Sequence, residues 1–303
     1  MQLYPPSFFD DVANGYKHIR TVPLASAMGA EIRGINIATI TDAQFEELRS
    51  ALFRYKMVYL RDQDMSIEDQ ERLTLRFGSF GTDAYTSGMP GHRNVQHLLK
   101  EASTVVDRVF GEGWHTDSPF LTRPPAVSLL YGKHIPPYGG DTWWANTEIA
   151  YEFLSEGMKK LLAPLKVHMT AREAIRLTVR RDESGKEIVG DMQMAMEQKD
   201  QLDMIKGRFH PLVRTHPATG KKSLFVDQIY AQGIEGLKDE EARPLLDYLW
   251  RHNVREEFTC RLRWSPGTFV MWDNRSCLHK AFNDYDGYKR EMFRTIVDGE
   301  VPM

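Results

Sequence analysis

Trp114-His115-Thr116-Asp117, answered far downstream by Trp272-Asp273-Asn274 and by His279, is the pattern on which the reading of this chain turns. In an extended strand successive side chains alternate faces, so a His and a carboxylate two residues apart project to the same side. One remote imidazole added to that pair makes two imidazoles and one carboxylate. Such a set can occupy one face of a ferrous ion and leave the opposite face open. The pair alone is weak evidence, because a His-x-Asp arises by chance and either residue can be an ordinary surface group.

Two further stretches strengthen it. Gly139-Gly140-Asp141-Thr142 brings a hydroxyl just after a tight turn, and Arg290 lies eleven positions beyond His279 with Arg294 four further on. In a strand, Arg290, Met292, Arg294 and Ile296 share one face, and Glu291, Phe293, Thr295 and Val297 take the other. Two arginines on an otherwise apolar face are costly to bury without anionic partners. A guanidinium fork binds a carboxylate bidentately, so this strand reads as an anion receptor. Two solvated arginines on an edge strand would give the same pattern.

Taken together, these residues resemble the taurine dioxygenase family of Fe(II)- and 2-oxoglutarate-dependent oxygenases, over nearly the whole chain. The matching pieces are Trp114-His115-Thr116-Asp117, Gly139-Gly140-Asp141-Thr142, Trp272-Asp273-Asn274, His279 and Arg290. The C-terminal stretch looks closest to the aryloxyalkanoate (phenoxy-herbicide) branch, through His216-Pro217, Phe258-Thr259-Cys260-Arg261, Trp264 and Arg294-Thr295. The resemblance implies a mainly β fold with peripheral helices, built on a double-stranded β-helix, or jelly roll. It implies that His115, Asp117 and His279 are the catalytic metal ligands holding Fe(II). Thr142 and Arg290 would grip the distal carboxylate of 2-oxoglutarate, with Arg294 beside them, and dioxygen would be the other co-substrate. The implied reaction hydroxylates a small organic acid, of aryloxy or alkyl carboxylate or sulfonate or sulfate type. Succinate and carbon dioxide are co-products. Hydroxylation at a carbon bearing a heteroatom can then cleave that bond.

One departure bears on the substrate. Arg294 lies where taurine dioxygenase contacts the anionic group of its substrate. Counted from Phe77-Gly78, the position of that enzyme's sulfonate-binding His is here Asp83. An acidic residue there repels a sulfonate and suits an amine or hydroxyl, with Tyr85 as a nearby contact. Two other classes stay open from the residues alone. A zinc hydrolase can use the same three ligands, although Thr142 and Arg290 would have no task in it. A jelly-roll binding protein without turnover is the other.

Composition is that of a soluble globular protein, with 42% hydrophobic and 27% charged residues among 303. The net charge of −3 lacks the basic footprint of a nucleic-acid binder. No apolar run is long enough to span a bilayer, and Met1 to Asp10 lacks the basic and apolar regions of a signal peptide. The two cysteines, Cys260 and Cys277, form no C-x-x-C pair. A cytoplasmic location follows as the expectation, with no nucleic-acid or membrane partner. The family and the general habit of soluble enzymes suggest a homo-oligomer.

Along the chain, residues 1–303 read as one domain. Thr41 caps a helix through about Tyr55. Met57 to Leu60 is a short strand, and Ser66 with Asp69 starts a helix that Gly78 closes. Ala126 to Tyr131 is a buried strand, and Asn146 or Thr147 caps another helix. The charged, Met-rich segment at about 171–208 has poor periodicity and reads as a lid over the site, with a solvated insertion as the alternative. Leu212 to Thr215 and Ser223 to Asp227 form a hairpin. Asp239 to about Asn253 is a helix that tolerates Pro244 only near its start. Phe258 to Trp264 and Thr268 to Trp272 are expected to form a second hairpin around Pro266-Gly267. Trp114, Trp143, Trp144 and Phe110 are candidate pocket walls, with the core as the plainer alternative. His97, His134, His168, His210 and His216 read as packed or surface groups. Arg172, Arg176 and Arg180, at spacing four, read as a solvated helix face or an anion clamp.

Overall fold

The structure, a computed structural model, describes residues 2–85, 88–104, 111–181, 187–189 and 198–303. Strands β1 (Arg20–Pro23) and β2 (Ala30–Arg33) form a hairpin ahead of helix α1 (Asp42–Tyr55). Thr41 caps α1 reciprocally: its hydroxyl accepts from the Gln44 N–H, and the Gln44 side chain accepts from the Thr41 N–H. Two orphan donors of the first turn are thereby satisfied. Strand β3 (Met57–Leu60) follows, then α2 (Ile67–Phe77), where Ser66 and Asp69 repeat the same capping exchange. Next come β4 (Gln96–Lys100), β5 (Val127–His134), β6 (Thr142–Asn146), α3 (Thr147–Glu152), α4 (Glu156–Leu162) and β7 (Lys166–Met169). The segment expected as a lid contains α5 (Arg172–Thr178), β8 (Val179–Arg181), β9 (Glu187–Val189) and α6 (Gln198–Lys206). The C-terminal third holds β10 (Arg208–Pro211), β11 (Val213–Thr215), β12 (Lys222–Leu224), β13 (Ala231–Ile234), α7 (Asp239–Asn253), β14 (Thr259–Leu262), β15 (Thr268–Asp273), β16 (Cys277–Ala281) and β17 (Arg290–Val297).

A seven-stranded sheet in the order β1-β2-β3-β15-β5-β17-β4 faces a three-stranded sheet in the order β14-β6-β16. The large sheet is covered on both faces, which is why its central strands are continuously apolar. Val58 and Leu60 of β3, with Phe269 and Met271 of β15, pack beneath Phe45, Leu48 and Leu52 of α1. The alternate residues Met57, Tyr59, Val270 and Trp272 point the other way and meet Trp144, Cys260 and Leu262 of the small sheet. This two-sheet sandwich with helices outside is the expected jelly roll. Cys260 and Cys277 are both buried and free, as packed small side chains.

Two local expectations are corrected. Residues 258–272 are not a hairpin: β14 pairs with β6, whereas β15 pairs with β3 and β5. The Pro266-Gly267 turn carries the chain from the small sheet to the large one, so its two strands part company. Nor is His115–Asp117 a strand. His115 makes one isolated bridge, to His279, and Ser118 turns the chain with a φ of 42°. The 212–227 hairpin is present, with β11 paired to β12.

The turn between β15 and β16 is locked by charge. The fully buried Asp273 carboxylate takes both arms of Arg275 at 2.8 Å and meets His216 Nε2 at 2.8 Å. Burial alone would raise this carboxyl, yet Arg275 and His216 hold it far below the usual carboxylate range. A depressed folded-state pKa adds stability that is complete above the ordinary value of about 3.9 and is lost as the pH falls below it. Asp273→Asn is therefore expected to cost about 3 kcal/mol at neutral pH, the low end for breaking a buried pair, because Arg275 loses its bidentate partner and keeps only Glu300 at 3.7 Å. Denaturant unfolding across pH checks this, with the difference from wild type shrinking below about pH 4.

Candidate active site

The bridge at His115 brings the two distant motifs together. His115 N–H donates to His279 C=O at 3.0 Å, and His279 N–H returns the bond to His115 C=O at 2.7 Å. The chain then turns, and ligand atoms of His115, Asp117 and His279 all come to lie within 4.8 Å of one another. All three residues are buried.

Their protonation states suit a cation. His115 Nδ1 lies 2.7 Å from the Gly113 carbonyl, an acceptor, which leaves Nε2 with its lone pair. Burial lowers the His115 imidazole, and burial together with neighbouring His115 pushes His279 down to about 3. Burial would raise Asp117, but His279, Arg294 and His115 around it hold it at about 2. At neutral pH the cluster is thus two neutral imidazoles and one carboxylate, the deprotonated set that metal binding requires. Two imidazoles and a carboxylate on one side of a site are the donor set of an open iron centre.

A polar relay holds the carboxylate. Ser128 Oγ donates to Asp117 Oδ2 at 2.5 Å and accepts from Asn274 Nδ2 at 2.8 Å, while Asn274 Oδ1 accepts from Trp272 Nε1 at 2.9 Å. Thr116 turns its hydroxyl to the Asn274 carbonyl at 3.0 Å. The Trp272-Asp273-Asn274 motif therefore braces the Asp117 carboxylate and contributes no atom to the His115, Asp117, His279 cluster. Asp227 completes the support, accepting from the backbone N–H of Thr116, Ile229 and Tyr230; its burial pushes the carboxyl up to about 7. Asp227 and Ser128 were not legible as site residues, since neither sits in a spaced motif.

Thr142 opens β6 and Arg290 opens β17, and they form a second cluster. Trp264 Nε1 donates to Thr142 Oγ1 at 3.0 Å, which leaves the Thr142 hydroxyl proton for another acceptor. Trp264 also lies 5.9 Å from the Arg290 guanidinium. Gly139 and Gly140 both adopt positive φ, and a Cβ on Gly140 would come 3.2 Å from Arg290 Nε, so the tight turn lies directly against that side chain. Arg290 Nη2 donates to the Gly140 carbonyl at 3.3 Å, while its buried Nε has no partner among the described residues. The Tyr285 ring lies 5.7 Å from the guanidinium, and no carboxylate among the described residues forms an ion pair with it.

Arg294 is placed differently. Its Nη2 forms a short ion pair with Asp83, and its Nη1 lies 3.4 Å from Asp117. Tyr85 donates to Tyr230 at 3.0 Å, and Asp83, Tyr85, Asp117, Tyr230 and Arg294 line one small cavity. The aromatic wall beside the triad is Tyr85, Phe120 and Tyr230. Trp114 and Trp143 instead cluster with Leu278 and Ala145, and Trp144 packs in the core against Trp272. Phe110 lies outside the described residues. His97 and His134 contact Glu291, His168 and His210 contact backbone carbonyls, and His216 contacts Asp273. Arg172 begins α5, Arg176 continues it, and Arg180 falls in β8, so the spacing does not stay on one helix.

Comparison with known proteins gives a consistent result. Residues 20–296 match the model of the taurine catabolism dioxygenase TauD, TfdA family. An alpha-ketoglutarate-dependent sulfate ester dioxygenase of Pseudomonas putida is 31% identical over 287 residues, 93% of this chain and 90% of that protein. The alpha-ketoglutarate-dependent 2,4-dichlorophenoxyacetate dioxygenase of Cupriavidus pinatubonensis is 32% identical over 203 residues, 67% of this chain and 66% of that protein. Among solved structures, a taurine dioxygenase from Burkholderia xenovorans matches with a TM-score of 0.75 at 30% identity, over 95% of this chain and 93% of that one. The phenoxy-herbicide likeness is thus present over two thirds of the chain, beside a sulfate-ester likeness over nearly all of it. The triad geometry predicts one divalent ion per chain; Asp117→Ala should lose it with the far-ultraviolet circular dichroism unchanged, as metal analysis of the purified variant will check.

Proposed function

This chain belongs to the taurine catabolism dioxygenase TauD, TfdA family and is a 2-oxoglutarate-dependent dioxygenase, and from that premise we propose that it hydroxylates a small organic acid at a site built on His115, Asp117 and His279. The observation that carries the reading is the convergence of these three donors within 4.8 Å, in a fold that also buries Arg290 without a close ion pair among the described residues, the nearby Asp141 being held by Arg261. A zinc hydrolase would need the first feature and have no use for the second.

In this reading the three ligands hold Fe(II). Arg290 and the Thr142 hydroxyl receive the distal carboxylate of 2-oxoglutarate, with Trp264 keeping Thr142 oriented as a donor. Bound iron, 2-oxoglutarate and dioxygen together supply the oxidising power that turns a substrate C–H into C–OH, with succinate and carbon dioxide as co-products. The protein's own part is placement and exclusion. Ser128 and Asn274 fix the Asp117 carboxylate, and Tyr85, Phe120 and Tyr230 wall the substrate side from water. Effective positioning of this kind is a large share of the barrier reduction available to an enzyme.

The sulfate ester and 2,4-dichlorophenoxyacetate relatives support sulfate, sulfonate or aryloxyalkanoate acids as the substrate class. Residues 1–303 act as one catalytic unit, with the 171–208 insert as its lid. At the foot of that insert Arg208 Nε donates to Thr122 Oγ1 at 3.0 Å, close after Asp117. No helix among the described residues is long and apolar enough to cross a membrane. A cytoplasmic homo-oligomer completes the proposal, supported by the buried free thiols and the family; light scattering on the eluted protein tests the assembly.

Anaerobic protein given Fe(II) and 2-oxoglutarate should develop the weak visible charge-transfer band of the chelate. Its absence despite bound iron would refute the co-substrate. Arg290→Ala should raise the KM for 2-oxoglutarate roughly tenfold to hundredfold, the worth of a charge-assisted hydrogen-bonded pair, with a smaller effect on kcat. An unchanged KM would move that role elsewhere.

A further inference from the structure

The two arginines that share one face of β17 differ in their ion pairs, although the Nε of each is buried without a partner among the described residues. Arg290 feels the Asp141 carboxylate, but Asp141 is held by Arg261 at 2.7 Å. The Arg290 Nη2 donates to the Gly140 carbonyl, and the Tyr285 side chain also faces it, but no carboxylate among the described residues forms an ion pair with it. Arg294 already holds two carboxylates, Asp83 through Nη2 and Asp117 through Nη1. The Asp83 and Arg294 side chains are only 4% and 8% exposed, so solvent does little to screen them. Metal at the triad would draw on the Asp117 charge and leave Asp83 as the principal counterion of Arg294.

A guanidinium compensated in this way exerts little net pull on a further anion. A carboxylate or sulfate brought to it would sit beside Asp83 in a site of low dielectric, where like charges repel strongly. The pair is also no distant brace. It lines the same small cavity as Asp117, with the Tyr85 and Tyr230 hydroxyls joined at 3.0 Å beside it. A carboxylate only accepts hydrogen bonds, and phenol hydroxyls can do either. Asp83 accepts from the Tyr85 N–H at 2.8 Å as well as from Arg294, so the charged group at this end of the cavity is an acceptor, beside a Tyr230 hydroxyl that can donate or accept.

We propose that Asp83 is a specificity-determining residue of the substrate pocket: by occupying the anion seat of Arg294, it makes this end of the pocket receive a hydroxyl or ammonium group and turn away a carboxylate, sulfonate or sulfate. The inference rests on the oxygenase reading and narrows it. The substrates are those small acids that bring a hydroxyl or amine to the Asp83 end of the pocket and direct their acid group away from Arg294.

The test compares wild type, Asp83→Asn and the charge-retaining Asp83→Glu, each loaded anaerobically with Fe(II) and 2-oxoglutarate. Methyl sulfate and methylammonium are titrated as probes small enough to enter whatever the rest of the substrate is. Binding is read by calorimetry and by the shift of the visible band, without turnover. Asp83→Asn should bind methyl sulfate at least about tenfold more tightly than wild type and methylammonium more weakly, since a like charge has been removed from one and a partner from the other. Asp83→Glu should follow wild type. No gain for methyl sulfate in Asp83→Asn, including no detectable binding in either protein, overturns the proposal. Should Asp83→Asn not fold, the wild type still decides: preference for methylammonium supports the assignment, and preference for methyl sulfate overturns it. Failure of the oxygenase reading is separable, because it would show as a missing band in wild type, with calorimetry on Asp83→Asn unaffected as a readout.

Discussion

Two backbone hydrogen bonds between His115 and His279 hold together everything else at the centre of this protein. They join segments far apart in the chain, at 3.0 and 2.7 Å. They are made at a place where neither segment can drift. His279 lies in β16, paired along its length with β6. His115 is followed at once by a turn anchored on Asp227 and Asn274. A cluster of ligand atoms must be held to a fraction of an ångström to be useful, and side chains on rigid elements achieve this where loop residues alone would not.

The second constraint is the cost of burying charge. Asp117, Asp273, Arg275, Arg294 and Asp83 all lie in the interior with polar partners on hand, as buried ionised groups must. The two networks they form have different tasks. Asp273, Arg275 and His216 lock the turn that delivers the chain into β16. Ser128, Asn274 and Trp272 hold the Asp117 carboxylate oriented. Because Asp273 and Asn274 are neighbours, one turn serves both, which accounts for the Trp272-Asp273-Asn274 motif.

Against this background Arg290 and Arg294 are informative as a contrast. They share a strand face four residues apart, yet one meets a backbone carbonyl and an aromatic ring and the other meets two carboxylates. Family membership explains a co-substrate anchor. It does not by itself set what the neighbouring arginine meets, because its partner Asp83 comes from a loop after α2 with no regular structure of its own. Substrate choice within one fold is set by such loops, laid over a scaffold that changes little.

Local signals determined much by themselves. The capping exchanges at Thr41 and Ser66 marked the starts of α1 and α2, because the side chains that satisfy orphan N–H groups lie within three residues. The apolar runs at 57–60 and 127–131 marked buried strands, and the spacing of Trp114-His115-Thr116-Asp117, Gly139-Gly140-Asp141-Thr142, His279 and Arg290 carried the family. Partnership between distant strands was beyond reach. Thr268–Asp273 follows Thr259–Leu262 after a plain Pro-Gly turn, and nothing in that turn says the two strands join different sheets. Likewise Arg290 and Arg294 look equivalent in sequence. Only the folded chain pairs Asp83 with one and sets the other, among the described residues, against a backbone carbonyl and aromatic rings, because pairing across a core depends on which surfaces pack together, and that is settled by all the elements at once.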